Sequence, residues 1–476
     1  MGEIRLDKMS GACPGFYPAL FLESGMKKQQ NDFLNGSILP SLLRFAGPVL
    51  LALFLQAMYG AVDLIVVGKF AGTADISAVS TGSQAMQLVT SLLVGLTTGV
   101  TVLLGQKIGE GKPDEAGSVI GSAICLFVCV ALGLTALLVT LAAPFCRLLQ
   151  APEEAFDPTT QYVRICSAGT LFIVAFNVIG SVFRGLGDSK MPLITVAIAC
   201  VVNIFGDLLL VAVFHLGAAG AALATVFAQA ISVVLSLLVI ARRKLPFTFR
   251  KEQLRFDRPL TAGILRLGVP IALQDVLVGV SFLVILAIVN SLGLLQSAGM
   301  GIAEKVCAFV MLLPSAFSQS VSAFVAQNTG AVKPDRAKKA LRYSVVTSLC
   351  ISVFVFYFNF FHGDLLAGIF ANDRAVILEA ADYLKAYAID CLLTSFLFCF
   401  IGYFNGCGRT VFVMVQGFVG ALGVRLPVAF LMSRVSPGSL FHLGLSTPAS
   451  TVVQILLCGG YFFYFGKKRE KSSISA

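Results

Sequence analysis

Twelve long apolar runs dominate this sequence. Each holds about 20 or more mostly apolar residues, the length that an α-helix needs to cross the hydrocarbon core of a bilayer. Only short stretches separate the runs, so no soluble domain is expected between them. The runs lie near residues 40–67, 77–104, 117–145, 159–183, 191–214, 218–241, 262–290, 297–327, 341–367, 378–404, 411–434 and 445–466. They predict an all-α integral membrane protein with twelve transmembrane helices.

The composition supports a membrane environment. Charged residues make up 13% of the chain and hydrophobic residues 57%, whereas a soluble domain carries about 25% charged residues. The net charge of +10 comes from short basic clusters between the apolar runs. Such clusters are typical of loops at a lipid surface. We therefore expect a lipid bilayer as the surroundings and no nucleic-acid partner.

The sequence offers no catalytic or metal-binding pattern. Its twelve cysteines show neither a CxxC pair nor a Cys/His spacing typical of a structural metal site. The three histidines, His215, His362 and His442, fall at or near the ends of apolar runs. An enzyme would need a nucleophile–base pair or a metal cluster, and a channel a pore loop. We expect no cofactor and no enzymatic activity.

The basic residues divide between the two sides of the membrane. One set of alternate loops carries the clusters Arg242–Lys244 and Lys338–Lys339. The other set has little beyond Lys69, Arg147, Arg374 and Arg434. Loops rich in Lys and Arg stay in the cytoplasm. Both termini and the central linker are therefore predicted to be cytoplasmic, with the protein in the cell membrane.

The two halves of the chain repeat each other. The first copies Gly111–Ala116, Phe183–Gly187 and Gly47–Pro48 recur as Val332–Ala337, Phe404–Gly408 and Val269–Pro270. The offsets between them are 221, 221 and 222 residues. Each copy holds six helices, and because six is even, the copies have the same orientation. Parallel-repeat transporters bind their substrate between the halves near mid-membrane.

The repeat divides the chain into five parts. We predict a cytoplasmic tail at 1–35, a six-helix lobe at 36–241, a basic cytoplasmic linker at 242–260, a second six-helix lobe at 261–466 and a cytoplasmic tail at 467–476. Met26 is an alternative start.

From about residue 31 onward the sequence resembles the multidrug and toxic compound extrusion (MATE) family of the MOP superfamily. The motif residues are Gly47–Pro48, Tyr59, Val62–Asp63, Val67–Gly68, Gly105–Gln106, Gly109, Gly111, Arg184–Asp188 and Gln327–Ala331. The resemblance implies antiport, in which Na⁺ or H⁺ enters and a bulky, mostly cationic xenobiotic leaves. We expect small organic cations as substrates and a monomeric protein.

Ionisable residues at membrane depth are costly and need a reason. Asn203 and Asp207 stand one turn apart on the fifth helix, where they can offer an amide oxygen and a carboxylate to one ion. Asp63, Thr225 and Tyr162 lie at a similar depth. In similar MATE proteins an Asp on helix 1 and Asn-x-x-x-Asp on helix 5 form a cation or proton site, with Tyr and Thr nearby. The resemblance implies that Asp63, Asn203 and Asp207 can hold Na⁺ or H⁺; a structural hydrogen-bond network is the alternative.

The second half lacks these residues. Shifted by the repeat, Asn203 and Asp207 fall on Val424 and Val428, and Asp63 falls near Ile285. Ion coupling is therefore predicted to belong to the first half alone.

Other buried polar residues are candidates for the substrate cavity: Gln56, Asp275, Glu304, Asp390 and Arg425. Asp390 can instead form a buried ion pair with Arg425. Pro48 removes a backbone hydrogen bond within helix 1, so a kink is expected, either static or bending when the nearby acid is neutralised. A flippase for lipid-linked oligosaccharides or lipid II is the rival function, but it needs a basic cavity, and acids outnumber bases here.

The predicted topology can be tested by cysteine labelling. A cysteine introduced at position 250, in a background without the native cysteines, should react with an impermeant maleimide only from the cytoplasmic side. Labelling from outside would overturn both the helix count and the repeat.

Overall fold

The computed structural model describes residues 32–242, 250–436 and 438–474, and within these ranges it contains helices and no strands. We number the membrane crossings α1 to α12. The first bundle comprises α1 (Ile38–Phe70), α2 (Thr73–Gly109), α3 (Pro113–Thr140), α4 (Phe156–Ala168 with Thr170–Leu186), α5 (Lys190–Asp207, continued by Leu208–Val213) and α6 (Gly217–Arg242). The second bundle comprises α7 (Arg258–Leu292), α8 (Leu294–Val310 with Leu312–Gly330), α9 (Pro334–Phe361), α10 (Arg374–Gly406), α11 (Thr410–Phe418, Val419–Arg425 and Leu426–Val435) and α12 (Ser446–Ile474).

Eleven helices in the described ranges are long and apolar enough to cross a membrane, and the bent α4 makes a twelfth. The predicted all-α membrane fold is therefore confirmed. The bend in α4 was not predicted: its two halves meet at an angle of 53°. The bend lies at Gly169, where a Cβ atom would stand 2.5 Å from the side chain of Val226 on α6. Close packing against α6 thus requires a glycine at the bend.

The repeated Lys-Pro-Asp motif marks the start of a helix in each bundle. Pro113 and Pro334 stand in the first turn of α3 and α9, and each is followed by an aspartate. Proline suits this position because the first helical N–H has no partner to lose. An acid there interacts favourably with the positive end of the helix dipole.

The prolines Pro48 and Pro270 lie inside α1 and α7, and both helices continue through them. The described structure therefore shows no break at Pro48, and a bend that depends on the nearby acid stays a prediction.

Four turns at repeat-equivalent positions lie on one face of the protein. They follow α2, α4, α8 and α10, and each contains a residue with positive φ: Gly111 (71°), Gly187 (85°), Val332 (55°) and Gly408 (72°). We call this the linker face, because residues 250–257 before α7 also lie there. The opposite face, where α1, α5 and α7 end, is the distal face.

The segment that leads into the first bundle docks on the second bundle. Arg336 on α9 donates hydrogen bonds to the backbone oxygens of Phe33 (2.8 Å) and Asp32 (2.9 Å). Lys333 donates to the oxygen of Leu34 (2.9 Å). The ring of Phe33 is fully buried and packs against Phe324 of α8.

The segment that leads into the second bundle docks on the first bundle. Gln253 donates to the backbone oxygen of Asp114 on α3 (3.1 Å), and Ser122 donates to that of Arg255 (3.4 Å). Residues 32–34 before α1 and residues 253–255 before α7 thus each dock on the opposite bundle, so the two bundles exchange their leading segments.

Some predicted boundaries fall outside the described residues. Residues 1–31, including Met26, lie outside, as do residues 243–249 of the linker and residues 475–476. The five-part division of the chain stays a prediction.

Two glycines of α3 test the docking of the linker. A methyl group on Gly121 would overlap the backbone oxygen of Gln253, whereas one on Gly133 meets nothing within 4 Å. Gly121→Ala should therefore destabilise the protein by about 1–3 kcal/mol through overpacking. Gly133→Ala should be neutral or stabilising by about 0.5–1 kcal/mol.

Because the chain has no tryptophan, thermal stability is best followed by the monodisperse peak that survives heating in size-exclusion chromatography. Equal melting temperatures for the two variants would contradict the docked position of Gln253.

Candidate functional site

Three helices of the first bundle bring four polar side chains together. Asp63 comes from α1, Asn203 and Asp207 from α5, and Thr225 from α6. Asn203 and Asp207 are fully buried and Asp63 is 5% exposed. The Thr225 hydroxyl joins them: it donates to Asp63 Oδ2 (3.3 Å) and accepts from Asn203 Nδ2 (3.4 Å). The structure thus assembles the predicted residues into one cluster, which we call the carboxylate cluster.

Local helix geometry aims these side chains at each other. Asn203 and Asp207 lie one turn apart, so both point toward the same side of α5. Between them, Gly206 allows α6 to approach, since a Cβ there would stand 3.0 Å from the Cβ of Ala224. Asp207 is also the last residue before the π-helical segment Leu208–Val213. Such π-helical turns are frequent at functional sites.

Four oxygens of the cluster have no hydrogen-bond donor among the described residues: Asp63 Oδ1, Asn203 Oδ1, Asp207 Oδ1 and Asp207 Oδ2. Buried polar atoms are almost always paired, because each unpaired atom costs about 1–3 kcal/mol. The Asp63 and Asp207 carboxyls are close enough to share one proton. The cluster can therefore accept a cation or a proton.

The donor set suits a hard monovalent cation or a proton better than a transition metal, which would favour imidazole or thiolate. The cluster supplies two carboxylates, one amide and one hydroxyl. Within the described residues, no group of three or more His, Cys, Asp and Glu side chains could hold a metal ion. An oxygen set of this kind fits Na⁺ without requiring it.

Tyr162 lies beside the cluster, as predicted. It is 3% exposed and interacts electrostatically with Asp63. Its ring packs on Gly82 of α2, where any Cβ atom would collide with it. This contact holds the bent α4 against α2.

Two residues near the cluster were missed as site residues. The Tyr59 side chain lies close to Gln56, Gln229 and Asp63. Gln56, Tyr59 and Asp63 follow helical spacing on α1, and Gln229 stands one turn after Thr225 on α6. These helical spacings are the sequence signal that could have placed Tyr59 and Gln229 near the cluster. The structure places Gln56, predicted for the substrate cavity, with this first-bundle group.

The second bundle has a cavity that contains one acidic side chain. It has a volume of about 210 Å³ and is lined by Phe282, Glu304, Cys307, Ala308, Met311, Tyr383 and Tyr387. Glu304 lines this cavity, whereas the adjacent Lys305 is exposed. At the position equivalent to Asp63, Ile285 is fully buried in an apolar cluster.

Asp390 and Arg425 are buried in the second bundle, at 2% and 6% exposure. Arg425 donates to the Ser281 hydroxyl (3.0 Å) and lies 4.5 Å from the centre of the Phe282 ring. Arg425 and Asp390 interact electrostatically, but within the described chain no direct ion pair joins them. Asp275, also predicted for the substrate cavity, lies on α7 outside the lining of this cavity.

The chain is similar to several known proteins over most of its length. The chain is 26% identical over 441 residues to the probable multidrug resistance protein YoeA of Bacillus subtilis, covering 91% of this chain and 95% of that protein. It is 25% identical to the multidrug export protein MepA of Staphylococcus saprophyticus, covering 84% and 88%. It is also 25% identical to a protein named FAD transporter from Shewanella oneidensis, covering 90% and 96%.

Solved structures share the fold. One is a MOP superfamily transporter from Pyrococcus furiosus, with a TM-score of 0.86, 18% identity and coverage of 92% of this chain and 97% of that chain. Another is an outward-facing multidrug resistance MATE family transporter, with a TM-score of 0.86, 18% identity and coverage of 94% and 98%.

The family model named MatE matches residues 48–209 and again residues 270–431, one match in each bundle. These matches cover more than half of the chain and reproduce the repeat. The chain belongs to the MatE family of multidrug and toxic compound extrusion proteins, which are membrane transporters and not enzymes.

Proposed function

We propose that this protein is a secondary active multidrug efflux antiporter, in which Na⁺ or H⁺ binding at the carboxylate cluster drives the export of organic, mostly cationic, compounds by alternating access. This proposal rests on the four oxygens of Asp63, Asn203 and Asp207 that have no donor in the part of the chain that the structure describes. The linker face and both termini lie in the cytoplasm, and the protein is in the cell membrane.

Coupling follows from the electrostatics of the carboxylate cluster. Two carboxylates that share a buried site cannot both stay charged unless a cation or proton joins them. Binding of one Na⁺ or H⁺ therefore removes one of the two negative charges, and release leaves a repulsion between Asp63 and Asp207 that favours a different packing of α1 against α5. The ion then has a different affinity for two conformations, which any coupled transporter requires.

The cavity of the second bundle supplies a place for the exported compound. It combines the acid of Glu304 with the rings of Phe282, Tyr383 and Tyr387. Aromatic faces and a nearby negative charge attract organic cations. Mostly apolar walls with a few polar groups are typical of small-molecule sites.

An anionic cargo, including a lipid-linked pyrophosphate, is the second candidate. The relative named FAD transporter favours it. The positions of the basic residues speak against it: Arg425 is held by Ser281 and Phe282, and Lys305 points away from the cavity that Glu304 lines. Glu304 therefore leaves the cavity better suited to a cation.

The coupling proposal is tested at Asp63. Asp63→Asn mimics a permanently protonated Asp63, so the variant should fold but lose ion-driven efflux by at least about tenfold, which corresponds to about 1.4 kcal/mol of lost coupling. The measurement is export of a fluorescent organic cation from cells at matched expression.

The matched control is Asp382→Asn. Asp382 is exposed and pairs with Lys385 (2.8 Å), and exposed pairs contribute little. Wild-type efflux by Asp63→Asn, or its loss only in Asp390→Asn, would move the coupling away from the first bundle.

The substrate proposal is tested at Glu304. Glu304→Gln removes one charge from the cavity while keeping its shape, so the affinity for a cationic compound should fall about fivefold, as expected for the loss of about 1 kcal/mol. The affinity for a neutral compound of similar size should stay the same. Both affinities are obtained from the concentration dependence of transport in proteoliposomes.

Glu154→Gln makes the same chemical change at an exposed position and should leave both affinities unchanged. Equal losses for the cationic and the neutral compound would show that Glu304 only supports the fold. A higher affinity of Glu304→Gln for an anionic flavin would favour the anionic cargo.

A further inference from the structure

Two glutamines at equivalent positions of the repeat join the two bundles. Gln106 on α2 donates to the backbone oxygen of Gly406 at the end of α10 (3.2 Å). Gln327 on α8 donates to the backbone oxygen of Gly185 at the end of α4 (2.9 Å). Donors and acceptors are each 221 residues apart, so the two hydrogen bonds are related by the repeat and cross the bundle interface in opposite directions.

The turn that follows each acceptor residue is left-handed and lies close to the side-chain amide of the donating glutamine. Gly187 and Gly408 have φ values of 85° and 72°, which only glycine adopts readily. A Cβ on Gly187 would stand 3.1 Å from Gln327 Nε2, and one on Gly408 would stand 3.5 Å from Gln106 Nε2. Each amide therefore lies against the left-handed turn of the opposite bundle.

The helices that carry the glutamines touch through their backbones. A methyl group on Gly109 of α2 would overlap the backbone oxygen of Gln327, and one on Gly330 of α8 would overlap that of Gln106. One turn earlier, a Cβ on Gly105 would stand 3.0 Å from the Cβ of Ala326. Small residues four apart let transmembrane helices approach this closely.

These contacts close the linker face in the conformation that the structure shows. Gln327 is fully buried and Gln106 is half-buried, so their amides have little water to replace a lost partner. The bundles cannot separate at this face while both hydrogen bonds remain. A bond within one bundle stabilises the fold in every conformation, whereas a bond between bundles stabilises only the conformation in which they meet.

We propose that Gln106 and Gln327 form a paired latch that holds the linker face closed and must release for that face to open. This inference rests on the alternating-access function proposed above. Because each half of the latch adds its own hydrogen bond, the two halves should contribute about equally and independently to the closed state.

The test is hydrogen–deuterium exchange of the full chain in lipid nanodiscs, which requires no transport. In Gln106→Ala or Gln327→Ala, amides near the linker-face ends of α2 and α8 should exchange about fivefold faster, as expected for one lost hydrogen bond. In the double variant they should exchange about 25-fold faster. Amides at the distal ends of α1 and α7 should exchange no faster than in the wild type.

Gln416→Ala is the matched control, because Gln416 is buried and donates within its own helix to Val413 (3.0 Å). Gln416→Ala should leave the exchange rates of the linker-face amides unchanged. Gln106→Asn and Gln327→Asn keep an amide that is one methylene too short, and they replace any alanine variant that does not fold.

Unchanged exchange at the linker face, or faster exchange throughout the protein, would overturn the latch. The outcome is separate from that of the coupling proposal. Normal efflux by Asp63→Asn together with an opened linker face would reject ion coupling and keep the latch.

Discussion

The proposed function depends on a costly pair of carboxyl groups, Asp63 and Asp207, buried within the first bundle with three oxygens that find no donor among the described residues. A carboxylate at this depth is retained only where it pairs with another group or serves transport. Here the surrounding helices supply one hydroxyl, from Thr225, and one amide, from Asn203. We propose that a cation or proton completes the site, and that its binding and release control the packing of α1, α5 and α6.

The repeat divides structural roles from chemical ones. Features that join the bundles occur twice: the exchanged leading segments at Asp32 and Gln253, the left-handed turns, and the hydrogen bonds of Gln106 and Gln327. The charged features occur once. The first bundle has the carboxylate cluster, while the second has Ile285 at the position of Asp63 and a cavity that contains Glu304. In the proposed function, the symmetric frame opens and closes about its axis, and the asymmetric distribution of charge gives the ion and the exported compound separate sites.

Several parts of this account could be predicted from the sequence because a strong physical rule applied to each. Apolar length gave the helices, since a membrane span tolerates few polar residues. The matched motifs revealed the repeat. The cost of burying charge singled out Asp63 and Asp207, and helical spacing placed Asn203 beside Asp207. The ion-pair alternative for Asp390 was less successful, because sequence spacing cannot reveal that Arg425 reaches Ser281 and Phe282 instead.

Other features leave no such signal. A glutamine near the end of a helix costs nothing if it faces water, so Gln106 and Gln327 gave no hint that they cross the interface between bundles. Gly169 looks like any other glycine in an apolar run until Val226 is seen to occupy the space of its missing side chain. The link from Tyr59 to Gln229 depends on how α1 and α6 are rotated against each other, which helical spacing alone does not determine.

The most direct test of the central claim is a gradient experiment with purified protein in liposomes loaded with a fluorescent organic cation. Either an imposed Na⁺ gradient or an imposed pH gradient should accelerate movement of the dye against its own gradient. Neutralising both Asp63 and Asp207 should abolish that response while dye binding persists. Equal dye movement with and without either gradient would contradict ion coupling at these carboxylates.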